Sequence, residues 1–290
     1  MGSILAFIAF VSWGFGDFLI QKSTRKFGNW MSVFYVALAG FIGLLPFVWE
    51  EIPDLFSHGL SSDLLILGLT ACFEVCGSLI FFESLRRGKI AVVEPIFAFE
   101  IPVTILLAWL FLHETLSGWQ LGLIAVIVVG IILISLKSLK HLKKIRLETG
   151  VILAIVATVI MGGTDFLYGL GSRATSPLLI NWFASAIVLI VTSAYLWRKG
   201  RLKDAIPDIK ARPGIVVWLV IMDNLGWIAY SYSMLYVPIA IATGISEAYI
   251  ALAVLLGLTL NREKLKAHQA VGLAVILVAV FLLARTVGFE

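Results

Sequence analysis

Seven carboxylates interrupt the apolar stretches of this chain: Asp17, Glu74, Glu94, Glu100, Asp165, Asp223 and Glu247. No lysine or arginine lies in those stretches with them. A charge at the centre of a bilayer costs at least about 2.5–3.5 kcal/mol, so acids placed there usually face a polar cavity and carry function. An acidic interior without fixed counter-charge holds protons, binds cations, or does both. Glu74 and Asp223 are expected near the middle of their helices as a proton- or cation-binding pair. Glu100 and Glu247 are expected deep beside them. Asp17 and Asp165 are expected in opposite leaflets, one toward each mouth of a central path. Glu94 is a further candidate of the substrate- or proton-binding set, on a face similar to that of Glu247 because Ala98, the aligned match of Glu247, is four residues from it; lying about a turn from Lys89, it is also close enough to an interface to snorkel.

Rings accompany these acids at helical spacing. Trp13 is four residues before Asp17, Trp227 and Tyr230 are four and seven after Asp223, and Tyr168 is three after Asp165, which puts ring and carboxylate on one helix face. A carboxylate flanked by Trp or Tyr suits an organic cation; plain packing of rings has the same spacing. Ser78 and Asn224 are further polar candidates. Pro95 and Pro102, with Gly244 aligned to Pro95, are expected to break two helices and to suit gating of a midplane site.

The remaining polar residues read as structural. Glu83 precedes Arg86 and Arg87 by three and four residues, the spacing of an interfacial ion pair. Glu114 and Glu263 stand at helix ends, as caps or gate contacts. Gly118 and Gly122 form a GxxxG and predict close helix packing. Cys72 and Cys76 flank Glu74, but residues two apart on a helix diverge and no histidine is near, which disfavours a soft-metal site. The four histidines lie in loops or at segment ends, and no nucleophile–base set, metal triad or phosphate loop is present. No catalytic residue and no cofactor is expected.

These residues sit on elements that only a membrane explains. Of 290 residues 60% are hydrophobic and 14% charged, and mean hydropathy is +1.02. A soluble domain cannot hide that much apolar surface. The net charge of +4 comes from cations in short loops and is no nucleic-acid signal. The first apolar segment lacks a basic leader and reads as a spanning helix, not a cleaved signal. Ten segments suffice to span: roughly 3–21, 31–49, 64–85, 90–112, 118–136, 149–171, 178–197, 215–236, 239–260 and 266–285.

The chain is internally repeated. A shift of 148 lays residues 4–20 on 152–168 with nine of 17 positions identical, Gly14 and Asp17 among them. A shift of 149 lays Glu74 on Asp223, Gly77 on Gly226, Ser84 on Ser233 and Glu114 on Glu263. Five spans per half is odd, so the second copy is inverted. Loop charges agree: the acidic connection between spans 2 and 3 has a partner, between spans 7 and 8, with six cations. Twenty Lys and Arg fall on the odd-numbered connections, which the positive-inside rule places in the cytoplasm, with both termini outside. The predicted fold is an all-α membrane protein of ten transmembrane helices in two inverted five-helix repeats. The boundaries are 1–136, a basic connecting loop at 137–148, and 149–290.

Trp13-Gly14 in the first span and the run Pro102-Val103 … Leu110-Phe111-Leu112-His113-Glu114-Thr115-Leu116 … Gln120 resemble the EamA family of the drug/metabolite transporter superfamily. Leu260-Asn261-Arg262-Glu263-Lys264-Leu265 … Gln269 repeats the pattern more weakly. The first run looks like the family's pattern of a proline, an apolar helix, a Leu-Gly-Glu type end and the next helix, while Ala251 stands in the ninth segment where the fourth has proline. The family is commonly drawn with cytoplasmic termini, against the loop charges here. The resemblance implies a multi-pass protein of the plasma membrane that moves a small molecule. Together with the acids it predicts a secondary transporter working by alternating access, with protons as coupling ion and an amine-bearing or cationic metabolite as substrate. A cation or divalent-metal conduit and an intramembrane lipid-modifying enzyme are the alternatives. The oligomeric state stays open.

Overall fold

A computed structural model of the chain describes residues 1–57, 61–88, 90–135, 149–260 and 266–287. The connecting loop at 137–148 and Glu263 lie outside these residues. The first half runs α1 (Gly2–Phe27), α2 (Asn29–Val48), a short α3 (Glu51–Ser57), α4 (Ser62–Arg87), α5 (Ile90–Phe97), α6 (Glu100–Leu112) and α7 (Gly118–Ser135). The second runs α8 (Thr149–Ala174), α9 (Pro177–Arg198), a short α10 (Ala205–Ala211), α11 (Pro213–Tyr236), α12 (Ile239–Ser246), α13 (Tyr249–Leu260) and α14 (Ala267–Arg285). Nine spans among the described residues are long and apolar enough to cross a membrane, and Gly118–Ile134 is a shorter apolar helix. The 26 residues of α1, α4 and α8 rise about 39 Å, more than a hydrocarbon core of about 30 Å.

Local chemistry marks the helix ends. Ser61 and Ser176 accept the Leu64 and Leu179 amides as N-caps. Pro177 and Pro213 open α9 and α11, where a missing N–H costs nothing. His113 ends α6 in the left-handed region at φ 53°, a conformation glycine adopts without strain. That accounts for the glycine of the family pattern at this place.

Two spans are broken, at equivalent points. The fourth breaks between Phe97 and Glu100, the ninth between Ser246 and Tyr249, which correspond under the 149-residue shift. The breaks fall two to three residues beyond the expected Pro95 and Gly244. Pro95 lies inside α5. Gly244 lies inside α12, where its missing Cβ lets Leu283 and Ile124 close in. Pro102 sits in the first turn of α6, so its lost N–H falls where helices leave donors unpaired anyway. In the ninth span a tight turn does the same without proline: the Ile250 and Ala251 amides bond back to Glu247 and Ala248.

The repeat governs the packing. α4 lies along α8 and α1 along α11, two contacts that the shifts exchange; α2 packs on α9 and α7 on α14, each pair its own counterpart. Glycine contacts come in the same pairs. A Cβ on Gly77 would meet Met161 Sδ at 2.6 Å, and one on Gly226 would run into the Trp13 indole. A Cβ on Gly14 would strike Leu252 at 2.6 Å and one on Gly162 would strike Val103 at 2.7 Å. Arg25 donates to the Gly88 carbonyl at 2.9 Å, and Arg173, its repeat mate, donates to the Met234 and Val237 carbonyls at 2.9 and 3.2 Å. A pair and its exchanged counterpart, recurring four times, is the signature of a two-fold axis.

The expected GxxxG contact does not form. Cβ atoms on Gly118 and Gly122 would meet nothing within 4 Å. The close approach of α7 and α14 is made instead by Gly130 and Gly272, each within reach of the other's backbone. Large apolar side chains such as Phe47, Trp119, Val159 and Phe281 are exposed on the outside, as lipid permits, while α12 is buried along its whole length.

Candidate functional site

Six of the seven carboxylates open onto one chamber between the halves. Its volume is about 70 Å³, and its lining includes Asp17, Glu74, Glu100, Asp165, Asp223 and Glu247. Among the described residues lining it there is no Lys, Arg or His. Asp17 and Asp165 therefore share this chamber instead of marking two mouths. The reason is the packing of α1 against α11 and α13 and of α8 against α4 and α6. Both aspartates are turned inward, 2% and 1% exposed.

The acids form two groups. Glu100, Asp165 and Glu247 bring one oxygen each within 4.8 Å of one another. Glu100 opens α6 and Glu247 follows α12, so the two helix breaks deliver both glutamates to the centre. The second group, Asp17, Glu74 and Asp223, adjoins the first: Asp223 faces both Asp17 and Glu74, Glu74 also faces Asp165, and Asp17 faces Glu100 and Glu247. Behind Asp17 stands Glu94, fully buried against the Asp17 carboxyl and not part of the lining. It does not snorkel, because α5 packs on α8 and α13 and holds it away from the interface.

Rings wall the chamber on one side. Trp13 lies edge-on to Trp227 and Tyr249 with centroids 5.1 and 5.8 Å apart, and Tyr168 stacks on Trp227 at 4.4 Å. Tyr230, expected at the site, lies behind Trp13 at 5.2 Å and does not line the chamber. Thr243 donates to the Ile239 carbonyl, so the Tyr230 hydroxyl donates to Thr243 at 2.5 Å. The lining also includes the apolar side chains of Ile20, Val33, Phe81 and Phe82. Ser78 lines the chamber with its hydroxyl unpartnered, while Asn224, also in the lining, is tied to the Val36 and Val220 carbonyls.

Sequence spacing missed Tyr249, which sits beside Asp17 and under Trp13. Its signal was present: the 149-residue shift lays it on Glu100, a position already singled out. Cys72 and Cys76 are free and exposed on the outer face of α4, so the soft-metal set with Glu74 does not assemble.

At the ends the charged residues do structural work. Glu83 holds Arg86 at 2.5 Å and also holds Arg87. Glu114 meets Arg173 at 2.7 Å and Ser176 meets Glu51 at 2.7 Å. These last two contacts gather the even-numbered connections at one end; Arg25 on Gly88 and Arg201 on Phe27 gather odd-numbered ones at the other.

Known proteins agree with this architecture. A 67-residue stretch is 39% identical to "Uncharacterized protein MJ1333.1" of Methanocaldococcus jannaschii, covering 23% of this chain and 49% of that protein, so the match spans about half the relative. A crystal structure 13% identical in sequence superposes with a TM-score of 0.73, covering 98% of this chain and 97% of that one, which speaks to the fold alone. The EamA-like transporter family matches residues 1–136 and again 148–285, one repeat each. A duplicated five-span unit, folded about a two-fold axis and matched twice by the same family, makes this chain a member of the EamA-like transporters, multi-pass proteins of the membrane.

Proposed function

We propose that the chain is a secondary transporter that moves a small amine-bearing or cationic metabolite by alternating access, with protons as the coupling ion. One observation carries this reading: a chamber at the junction of two inverted halves is lined by six carboxylates and, among the described residues, no basic group. Buried negative charge of that density needs a mobile positive partner. Glu74 and Asp223, repeat mates on α4 and α11, both line the chamber, and a proton or a substrate ammonium between them would satisfy both. Trp13, Trp227 and Tyr249 supply π faces beside Asp17, the arrangement that favours an organic cation. The chamber of about 70 Å³ holds a handful of waters, so a metabolite enters only as the halves part.

The test is uptake of radiolabelled amines into proteoliposomes with and without an imposed pH gradient. The expected result is accumulation that follows the gradient and falls at least ~10-fold in Glu74→Gln/Asp223→Asn. Transport that keeps both its rate and its pH dependence in that double variant sinks the assignment.

A further inference from the structure

We propose that Glu100, Asp165 and Glu247 form a coordination site for one hard divalent cation of about the size of Ca²⁺ or Mn²⁺. Glu100 comes from the first half, and Asp165 and Glu247 from the second. The ion therefore bridges the two repeats.

Four observations converge on this. The side chains are 3%, 1% and 2% exposed, and one oxygen of each is buried without a hydrogen-bond partner. Three oxygens no more than 4.8 Å apart lie close to the spacing of a shared ion: three Ca–O bonds of about 2.3–2.6 Å around one ion set O–O edges of about 4.0–4.5 Å, so a small inward turn of the side chains brings all three into reach. Of the neighbouring hydroxyls among the described residues only Thr104 reaches the trio, at Asp165, and none supplies the positive charge that three carboxylates call for. Thr104 donates to the Glu100 and Gly162 carbonyls, and Tyr230 donates to Thr243. Lastly, the carboxylates open onto a chamber with room for the waters that complete a coordination shell. Carboxylate oxygens without thiolate or imidazole select hard ions over soft ones.

The two-fold axis does not repeat the site. Under the shifts Asp165 corresponds to Asp17, Glu100 to Tyr249 and Glu247 to Ala98. The mate site thus offers a phenol and a methyl group where the real one has two glutamates. The ion site sits on the breaks of spans 4 and 9, and Tyr249, at the second break, joins it to the rings of Trp13 and Trp227. The role of this ion in transport rests on the function proposed above; its binding does not.

The experiment uses the full chain, stripped with chelator and checked for a single peak in size-exclusion chromatography. Binding of ⁴⁵Ca²⁺ and Mn²⁺ is measured at equilibrium, and Tb³⁺ luminescence sensitised by the nearby rings reports the same site. We expect saturable binding of one ion per chain. Affinity should fall at least ~10-fold in Glu247→Gln and in Asp165→Asn and stay within about threefold in Glu74→Gln. Absence of saturable binding to the folded wild type overturns the proposal, as does equal loss in Glu74→Gln. Amine uptake in the same preparation separates the two ideas. Uptake without cation binding removes the ion site and leaves the transporter; cation binding without amine uptake does the reverse.

Discussion

At the scale of single residues, burial decides role more than type does. Trp227 and Tyr230 are both aromatic, one turn apart on α11, and both were expected at the site. Trp227 lines the chamber, whereas the Tyr230 hydroxyl is committed to Thr243. Their substitutions should therefore separate. Trp227→Leu is expected to weaken binding of a cationic solute by about 0.5–2 kcal/mol, read as a rise in half-saturation of uptake. Tyr230→Phe is expected to leave that value unchanged and to cost about 0.5–1.5 kcal/mol of stability, read in a thermal melt. If Tyr230→Phe alone shifts half-saturation, the hydroxyl reaches the solute after all. Glu94 shows the limit of reading one residue at a time. Its distance from Lys89 suggests an interface, yet it is wholly buried behind Asp17. Sequence distance measures position along the helix axis, not which neighbour covers the face.

At the scale of helices, glycine marks contact only where another helix arrives. Gly226 and Gly122 both lie within spans. A methyl group on Gly226 would collide with the Trp13 indole; one on Gly122 would meet nothing within 4 Å. Gly226→Ala should displace Trp13 and depress transport, whereas Gly122→Ala should leave both transport and melting temperature at or above the wild-type value. Measuring both variants in one proteoliposome series checks the pair, and a loss with Gly122→Ala would mean that the outer face of α7 is covered by something else. The broken spans follow the same logic. Pro102 writes a break into span 4, but span 9 breaks at the equivalent point with Ala251 there instead. The common cause is the two-fold packing around the centre, which imposes one backbone path on two unlike sequences.

At the scale of the whole molecule, inversion organises charge as well as contacts. The first, third and seventh connections meet at one end, with Arg25 and Arg201 on backbone carbonyls there. Arg173 and Glu114 close the other end. With 20 of 22 basic residues on the odd connections, that end should face the cytoplasm. Single-cysteine variants in a background lacking Cys72 and Cys76 test this. A cysteine at Lys203 should resist an impermeant thiol reagent in intact cells, and one at Ser176 should react. The opposite pattern would mean that cytoplasmic termini, the family habit, override the charge bias.

The sequence by itself determined the solvent, the ten spans, the duplication and the inversion. Hydropathy is a local property that lipid selects directly, and self-similarity survives in the order of residues. It also named the six acids that line the chamber, because a carboxylate in an apolar run is conspicuous. Only the tertiary structure decided that Asp17 and Asp165 share one chamber, that Tyr249 replaces Tyr230 in its wall, and that Glu100, Asp165 and Glu247 converge within 4.8 Å. Those outcomes depend on how helices rotate and cross when small residues such as Gly14, Gly77, Gly162 and Gly226 let them approach. Rotation and crossing come from contacts between segments far apart in the chain, which no single helix encodes.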